Sequence, residues 1–156
     1  MSLSRDFVEF VECLSQSGVD YLLVGGHALA FHGLPRFTKD IDFWIRPSED
    51  NARRLLGALE RFGFGGLDLA IEDFTTLGKV VQLGVAPNRI DIVNSIDGVD
   101  FATAWQRRLE SEYAGVPLLV IHRRDLIANK RASGRPQDLL DVQRLESIED
   151  GPPDGR

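Results

Sequence analysis

The chain has 156 residues, 43% hydrophobic and 27% charged, which suits one compact globular domain and singles out no function class. Its formal charge of −6, from 24 acidic and 18 basic residues, argues against a protein that coats nucleic acid by bulk attraction. No apolar run is long enough to span a membrane, the first residues lack a secretory pattern, and the single Cys13 excludes an internal disulfide and fits a reducing cytoplasm.

Phe7, Phe10, Val11 and Leu14 recur at helical spacing and predict a first amphipathic helix, with Ser4 as its N-cap and Gly18 as its stop. Cys13 falls inside that pattern and reads as a packing residue. Tyr21–Val24 is a short apolar run that predicts a buried strand. Gly25-Gly26 breaks it, and His27–Phe31 follows with helical composition.

Lys39–Ile45 alternates, with Ile41, Phe43 and Ile45 on one face of a strand and Asp40, Asp42 and Trp44 on the other. Pro47-Ser48-Glu49-Asp50 opens a helix whose apolar face is Ala52, Leu55, Leu56 and Leu59, ended by Gly63. Residues 65–78 show no usable period. Lys79–Val85 and Arg89–Val93 read as a hairpin turning at Ala86-Pro87-Asn88. Phe101–Glu110 predicts a helix, Leu118–Ile121 a strand, and Arg124–Ala132 and Pro136–Ser147 two helices split at Gly134. Residues 1–148 are expected to form one domain and 149–156 a disordered tail.

Two carboxylates, Asp40 and Asp42, leave one strand face, and Asp91, flanked by Ile90 and Ile92, is the candidate third from a neighbouring strand. Hard divalent cations take oxygen ligands, commonly one or two carboxylates plus substrate phosphates. Two cations would relieve the repulsion between such acids and clamp both oxygens of an in-line phosphoryl displacement. Asp-x-Asp on a strand is also what a solvated face produces, so the pattern alone leaves both readings open. Gly25-Gly26, placed between a strand and a helix, offers backbone N–H groups to an anion. Arg36, Thr38 and Lys39 add a guanidinium, a hydroxyl and an ammonium just before the carboxylates. The bland alternative is that Arg36 and Lys39 are solvated loop charges.

Val24-Gly-Gly-His-Ala-Leu-Ala-Phe-His-Gly-Leu-Pro-Arg-Phe-Thr-Lys-Asp-Ile-Asp-Phe43 resembles the first motif of the DNA polymerase β-like nucleotidyltransferase superfamily. That motif is a glycine pair, a helix and Asp-x-Asp on a strand, with a third Asp on a later strand. The Arg36-to-Asp42 segment and Lys130-Arg-Ala-Ser-Gly-Arg-Pro-Gln-Asp-Leu-Leu-Asp141 are similar to the AbiEii branch, the toxin-like half of type IV toxin–antitoxin systems. Together the matches run from about Tyr21 to Leu145.

The resemblance implies an α/β nucleotidyltransferase fold, a short mixed sheet flanked by helices with C-terminal helices closing over the nucleotide. It implies transfer of a nucleoside monophosphate from a nucleoside triphosphate to a hydroxyl. Asp40, Asp42 and Asp91 would bind two Mg²⁺ ions, with Mn²⁺ as an alternative, and Asp91 would help deprotonate the acceptor. Gly25 and Gly26 would hold phosphates, Lys130 would contact the triphosphate, and Asp138 would orient Lys130 or a nucleotide group. Arg36 and Thr38 would brace the motif or touch phosphate, and Asp141 would be structural.

Many relatives carry Gly-Ser where this chain has Gly25-Gly26-His27, so the hydroxyl contact is missing. His27, His32 and His122 could assist, but packed helix histidines are the more ordinary explanation. tRNA or another RNA end is the favoured acceptor. A partner protein of toxin–antitoxin type and a small molecule are the alternatives, and a non-catalytic nucleotide-binding regulator is the rival from outside enzymology.

Overall fold

The computed structural model describes residues 3–85 and 88–148. Helix α1 (Arg5–Gln16) starts where Ser4 Oγ accepts from Phe7 N, and it buries Phe7, Phe10, Val11 and Leu14. Strand β1 (Tyr21–Val24) is wholly buried and runs straight into the short helix α2 (Gly25–Phe31), which begins at the glycine pair itself. Strand β2 (Ile41–Ile45) is followed by helix α3 (Glu49–Leu59), capped by Ser48 as its sequence predicts.

A π-helical turn (Glu60–Phe64) extends α3 and kinks at Gly63. The unpatterned stretch after it contains only the one-turn helix α4 (Glu72–Thr75). Strands β3 (Val80–Leu83) and β4 (Ile90–Val93) pair antiparallel, so the hairpin stands. The bend is closed by Asn88 N donating to Val85 O, whereas Ala86 and Pro87 lie outside the described residues, as does the expected tail at 149–156.

Helix α5 spans only Phe101–Gln106, with Asp100 as its cap. The predicted helix to Glu110 is therefore too long, because Leu109–Tyr113 is strand β5. It pairs antiparallel with β6 (Val116–Val120) across Ala114-Gly115, both of which have positive φ, as a two-residue primed hairpin requires. Helices α6 (Arg123–Ser133) and α7 (Pro136–Ser147) close the described chain, separated by a left-handed Gly134.

The six strands form one mixed sheet in the order β3-β4-β2-β1-β6-β5. β2 runs parallel to β4, and β1 parallel to β6; the remaining neighbours are antiparallel. Ile41, Phe43 and Ile45 point into the core, where Phe10 of α1 packs against Phe43 and against Phe62 of the π-turn. Each buried side chain of that size is worth about 1.5–3 kcal/mol, so this face holds β2 firmly. Trp44 lies on the other face of β2 but is not solvated: Phe101 of α5 covers it at 5.0 Å, ring edge to face. Cys13 is only half-buried at the core's margin.

Candidate active site

The register of β2 against β4 sets Asp42 beside Asp91 as Cα partners, with Ile41 beside Ile90 and Phe43 beside Ile92. Alternation therefore sends both carboxyls to the same face while their neighbours fill the core. Burial, together with the charge of the adjoining Asp91, pushes the Asp42 pKa up to about 7. Asp40 sits one residue ahead of β2 rather than within it.

Arg89, which the motif reading passed over, binds this cluster. Its Nη2 donates to Asp40 Oδ2 at 2.7 Å and to Asp91 Oδ2 at 3.1 Å, and its Nε donates to Asp91 Oδ1 at 3.0 Å. The signal was present in the sequence: Arg89 precedes Asp91 by two residues and so shares its strand face. It acts as a built-in counter-cation.

Gly25 abuts the carboxylates. Its φ is +71°, and a Cβ built there would lie 3.0 Å from Asp42 Cγ and closer still to Asp42 Oδ2. Only glycine lets the chain leave β1 this close to Asp42. Gly26 packs against the Thr38 side chain, and Thr38 Oγ1 donates to Asp40 O, bracing the segment that presents Asp40. Lys39 is exposed and makes no ion pair within the described residues. His27 is buried edge-on against Phe7, with Nδ1 lacking a hydrogen-bond partner among the described residues. Burial pushes its pKa down, as it does for His32, whose Nε2 contacts Ile121 O. His122 caps α6 by accepting from Arg124 N.

The C-terminal residues form a second cluster. Asp141 is fully buried and accepts two hydrogen bonds from the Arg36 fork, at 2.6 and 3.2 Å, and one from Gln137. Burial would raise its pKa, but hydrogen bonds from Arg36, Gln137 and Lys130 outweigh that and the net shift is downward. Lys130 Nζ lies 3.3 Å from Asp141 and 3.5 Å from Asp138. Asp138 also takes Arg135, whose hydrogen bond is the main cause of its lowered pKa. Arg36 thus ties the loop before β2 to α7, and Lys130 is held between two carboxylates.

Among the described residues no three His, Cys, Asp or Glu side chains converge as a finished metal cage. The donor set still fits Mg²⁺, which is commonly held by one or two carboxylates with phosphate oxygens completing the shell. Asp42 and Asp91 are such a pair, and a cation bound between them would offset the burial and the like charge that raise the Asp42 pKa. Arg89 fills part of that electrostatic demand.

The family model described as "Nucleotidyltransferase of unknown function (DUF6036)" matches residues 5–149. Among solved structures, the chain is similar to the lincosamide antibiotic adenylyltransferase LnuA in its lincomycin-bound form, with TM-score 0.55 at 14% identity over 94% of this chain and 98% of that one. It is similar to a Thermotoga maritima protein described as a nucleotidyltransferase, with TM-score 0.53 at 17% identity over 91% and 85%. A third is ANT(2")-Ia in complex with adenylyl-2"-tobramycin, with TM-score 0.52 at 15% identity over 89% and 84%. At these identities the likeness is one of fold. No curated protein is detectably similar in sequence.

Proposed function

The chain belongs to this nucleotidyltransferase family, and from that premise we propose that it moves a nucleoside monophosphate from a nucleoside triphosphate to an acceptor hydroxyl, releasing pyrophosphate. The observation that carries the reading is the registered pair Asp42 and Asp91 on parallel strands, with the Gly25 turn pressed against it. Nothing in the packing of the sheet calls for two mutually repelling carboxyls at this point, so their cost points to chemistry.

Asp40, Asp42 and Asp91 would hold divalent cations, Mg²⁺ or Mn²⁺, which would neutralise charge on the attacking and leaving oxygens. Asp91 would take the proton of the attacking hydroxyl. The Gly25 and Gly26 amides, with Lys39 and with Lys130 once it turns from Asp141, would neutralise the charge of the departing phosphates. Arg36, Thr38 and Asp138 hold these groups in position. The AbiEii resemblance favours an RNA end or a cognate toxin or antitoxin protein as acceptor. The fold neighbours LnuA and ANT(2")-Ia are adenylyltransferases of antibiotics.

Label transfer from each α-labelled nucleoside triphosphate, with Mg²⁺ and with tRNA, cell protein or small molecules as acceptors, tests the reading. Asp42→Asn should reduce transfer by at least about a hundredfold while leaving the fold intact. Full activity in that variant would show the site to be misassigned.

A second reading is favoured by Arg89: its guanidinium already neutralises Asp40 and Asp91, as suits a nucleotide-binding regulator that does no chemistry. Nucleotide affinity unchanged by removal of Mg²⁺, with no turnover, would select that reading.

A further inference from the structure

Beyond the carboxylates, at the C-terminal ends of β2 and β4, a cavity of about 400 Å³ is lined by Trp44, Arg46, Leu77, Val99, Asp100 and Phe101. Its size is that of a small-molecule site. Trp44 follows Asp42 by two residues, so both rise from one face of β2 with Cα atoms about 7 Å apart. The glycine turn lies the other way. β1 is antiparallel to β2 with Val24 opposite Asp42, so the chain leaves β1 towards the N-terminal end of β2. Glycine turn, carboxylates and cavity therefore follow one another along a single strand.

In-line displacement puts the attacking oxygen and the departing pyrophosphate on opposite sides of the α-phosphorus. With the pyrophosphate towards Gly25-Gly26, the attacking hydroxyl arrives from the side of the cavity. We propose that this cavity is the acceptor site and that its acceptor is an uncharged small molecule bearing a hydroxyl on an apolar, ring-sized body. The proposal rests on the transferase reading above. In the step, the acceptor oxygen forms a bond to the α-phosphorus, the bond to pyrophosphate breaks, and the hydroxyl proton passes to Asp91.

The lining selects this chemistry. Trp44, Leu77, Val99 and Phe101 supply apolar and aromatic walls. Arg46 stacks its guanidinium 4.9 Å from the Phe101 ring centre, and its Nε donates to Asp20 at 2.8 Å, so its charge is already met. Asp100 accepts from Thr103 N and Oγ1. The amide of Asn94 is committed at both ends, donating to Thr76 O and accepting from Gly78 N. The lining carries one guanidinium, Arg46, and one carboxylate, Asp100, so it offers neither sign of ligand an excess of counter-charge. A polyanion finds little to grip in this cavity, because among the described residues Arg46 is the one cation of its lining and is already paired with Asp20.

Tyrosol, tyramine and 4-hydroxyphenylacetate share one hydroxylated ring and carry a neutral, a positive and a negative tail. Their binding is followed by saturation-transfer NMR on wild type and on Ala102→Phe. Ala102 is an exposed cavity residue, so the larger side chain fills the space without entering the core.

The expected result is that tyrosol binds best, that Ala102→Phe weakens it at least about tenfold, and that MgATP binds both proteins equally. Label from α-labelled ATP should then pass to tyrosol in wild type and be lost in Ala102→Phe. Failure of tyrosol to bind, stronger binding of either charged analogue, or indifference to Ala102→Phe overturns the proposal. Label passing to tRNA equally in both proteins also overturns it, yet leaves the transferase reading standing. Tyrosol bound in a protein that binds no MgATP sinks the transferase reading, and the acceptor role with it.

Discussion

Asp42 combines burial with a neighbouring carboxyl, and without metal its pKa rises from 3.8 to about 7. The folded metal-free state then keeps a proton that the unfolded chain releases. That contribution is complete below the unfolded value, shrinks as pH rises towards 7 by up to about 1.4 kcal/mol per unit, and is gone above it. Asp138 and Asp141 are shifted downward, so the stability they add is lost only as pH falls below the ordinary carboxylate range. The three histidines, shifted down by burial, act the other way and cancel between variants. The melting temperature of metal-free wild type relative to Asp42→Asn should therefore fall between about pH 5 and pH 7.5. Parallel curves for the two proteins would remove Asp42 as the titrating group. Gly25→Ala tests the same corner sterically. The positive φ alone costs about 1–3 kcal/mol for a side-chain-bearing residue, and the new methyl must displace the Asp42 carboxyl. Transfer and thermal stability should fall together, and a variant that kept both would show that the turn can move away from β2.

Local pattern was enough for the elements nearest the site. β1, the glycine turn, β2, the β3–β4 hairpin and the split α6–α7 pair each follow from period, capping or turn residues within their own segment. The misreading of β5 has a physical source: Leu109, Ser111 and Tyr113 alternate with exposed Glu110 and Glu112, and an edge strand with acids on its open side looks like the polar end of a helix. Its turn also lacks the usual signal, since Ala114 stands at φ +53° where Asn or Asp is expected. Ala114→Asn should raise the melting temperature by about 2–4 °C, the equivalent of roughly 1 kcal/mol in a chain of this size. A lower melting temperature would mean that the turn draws on Ala114 for packing. The contacts that join segments were legible only in part. Arg36 with Asp141 spans 105 residues, and the cavity brings Trp44 to Phe101; spacing within a segment carries no trace of either. Arg36→Ala should cost about 1–3 kcal/mol, because Asp141 stays fully buried with only Gln137 and Lys130 to serve it. It should also reduce transfer by freeing the loop that presents Asp40. A stability loss with undiminished transfer would separate α7 from the site.

At the scale of the molecule, the charge of −6 meets a site whose cations are mostly spoken for. Arg36, Arg89, Lys130 and Arg135 each lie against an acid of the chain, and Lys39 is the exposed cation beside Asp40. An enzyme that held RNA by six to ten phosphates would lose about 10³–10⁵ in affinity between 50 and 200 mM salt, through counterion release. With these four cations paired, the site itself has few phosphate contacts to lose. Its acceptor binding should rest on apolar walls such as Trp44 and Phe101, which salt does not screen. Transfer at saturating nucleoside triphosphate should therefore fall less than about tenfold over that salt range. A steep loss, with a log–log slope near −6 or beyond, would place the acceptor among nucleic acids. The closing helices would then have to rearrange, breaking the pairs of Lys130 and Arg36 with Asp141 to free their charges for phosphate, and Asp141→Asn would strengthen RNA binding rather than weaken it.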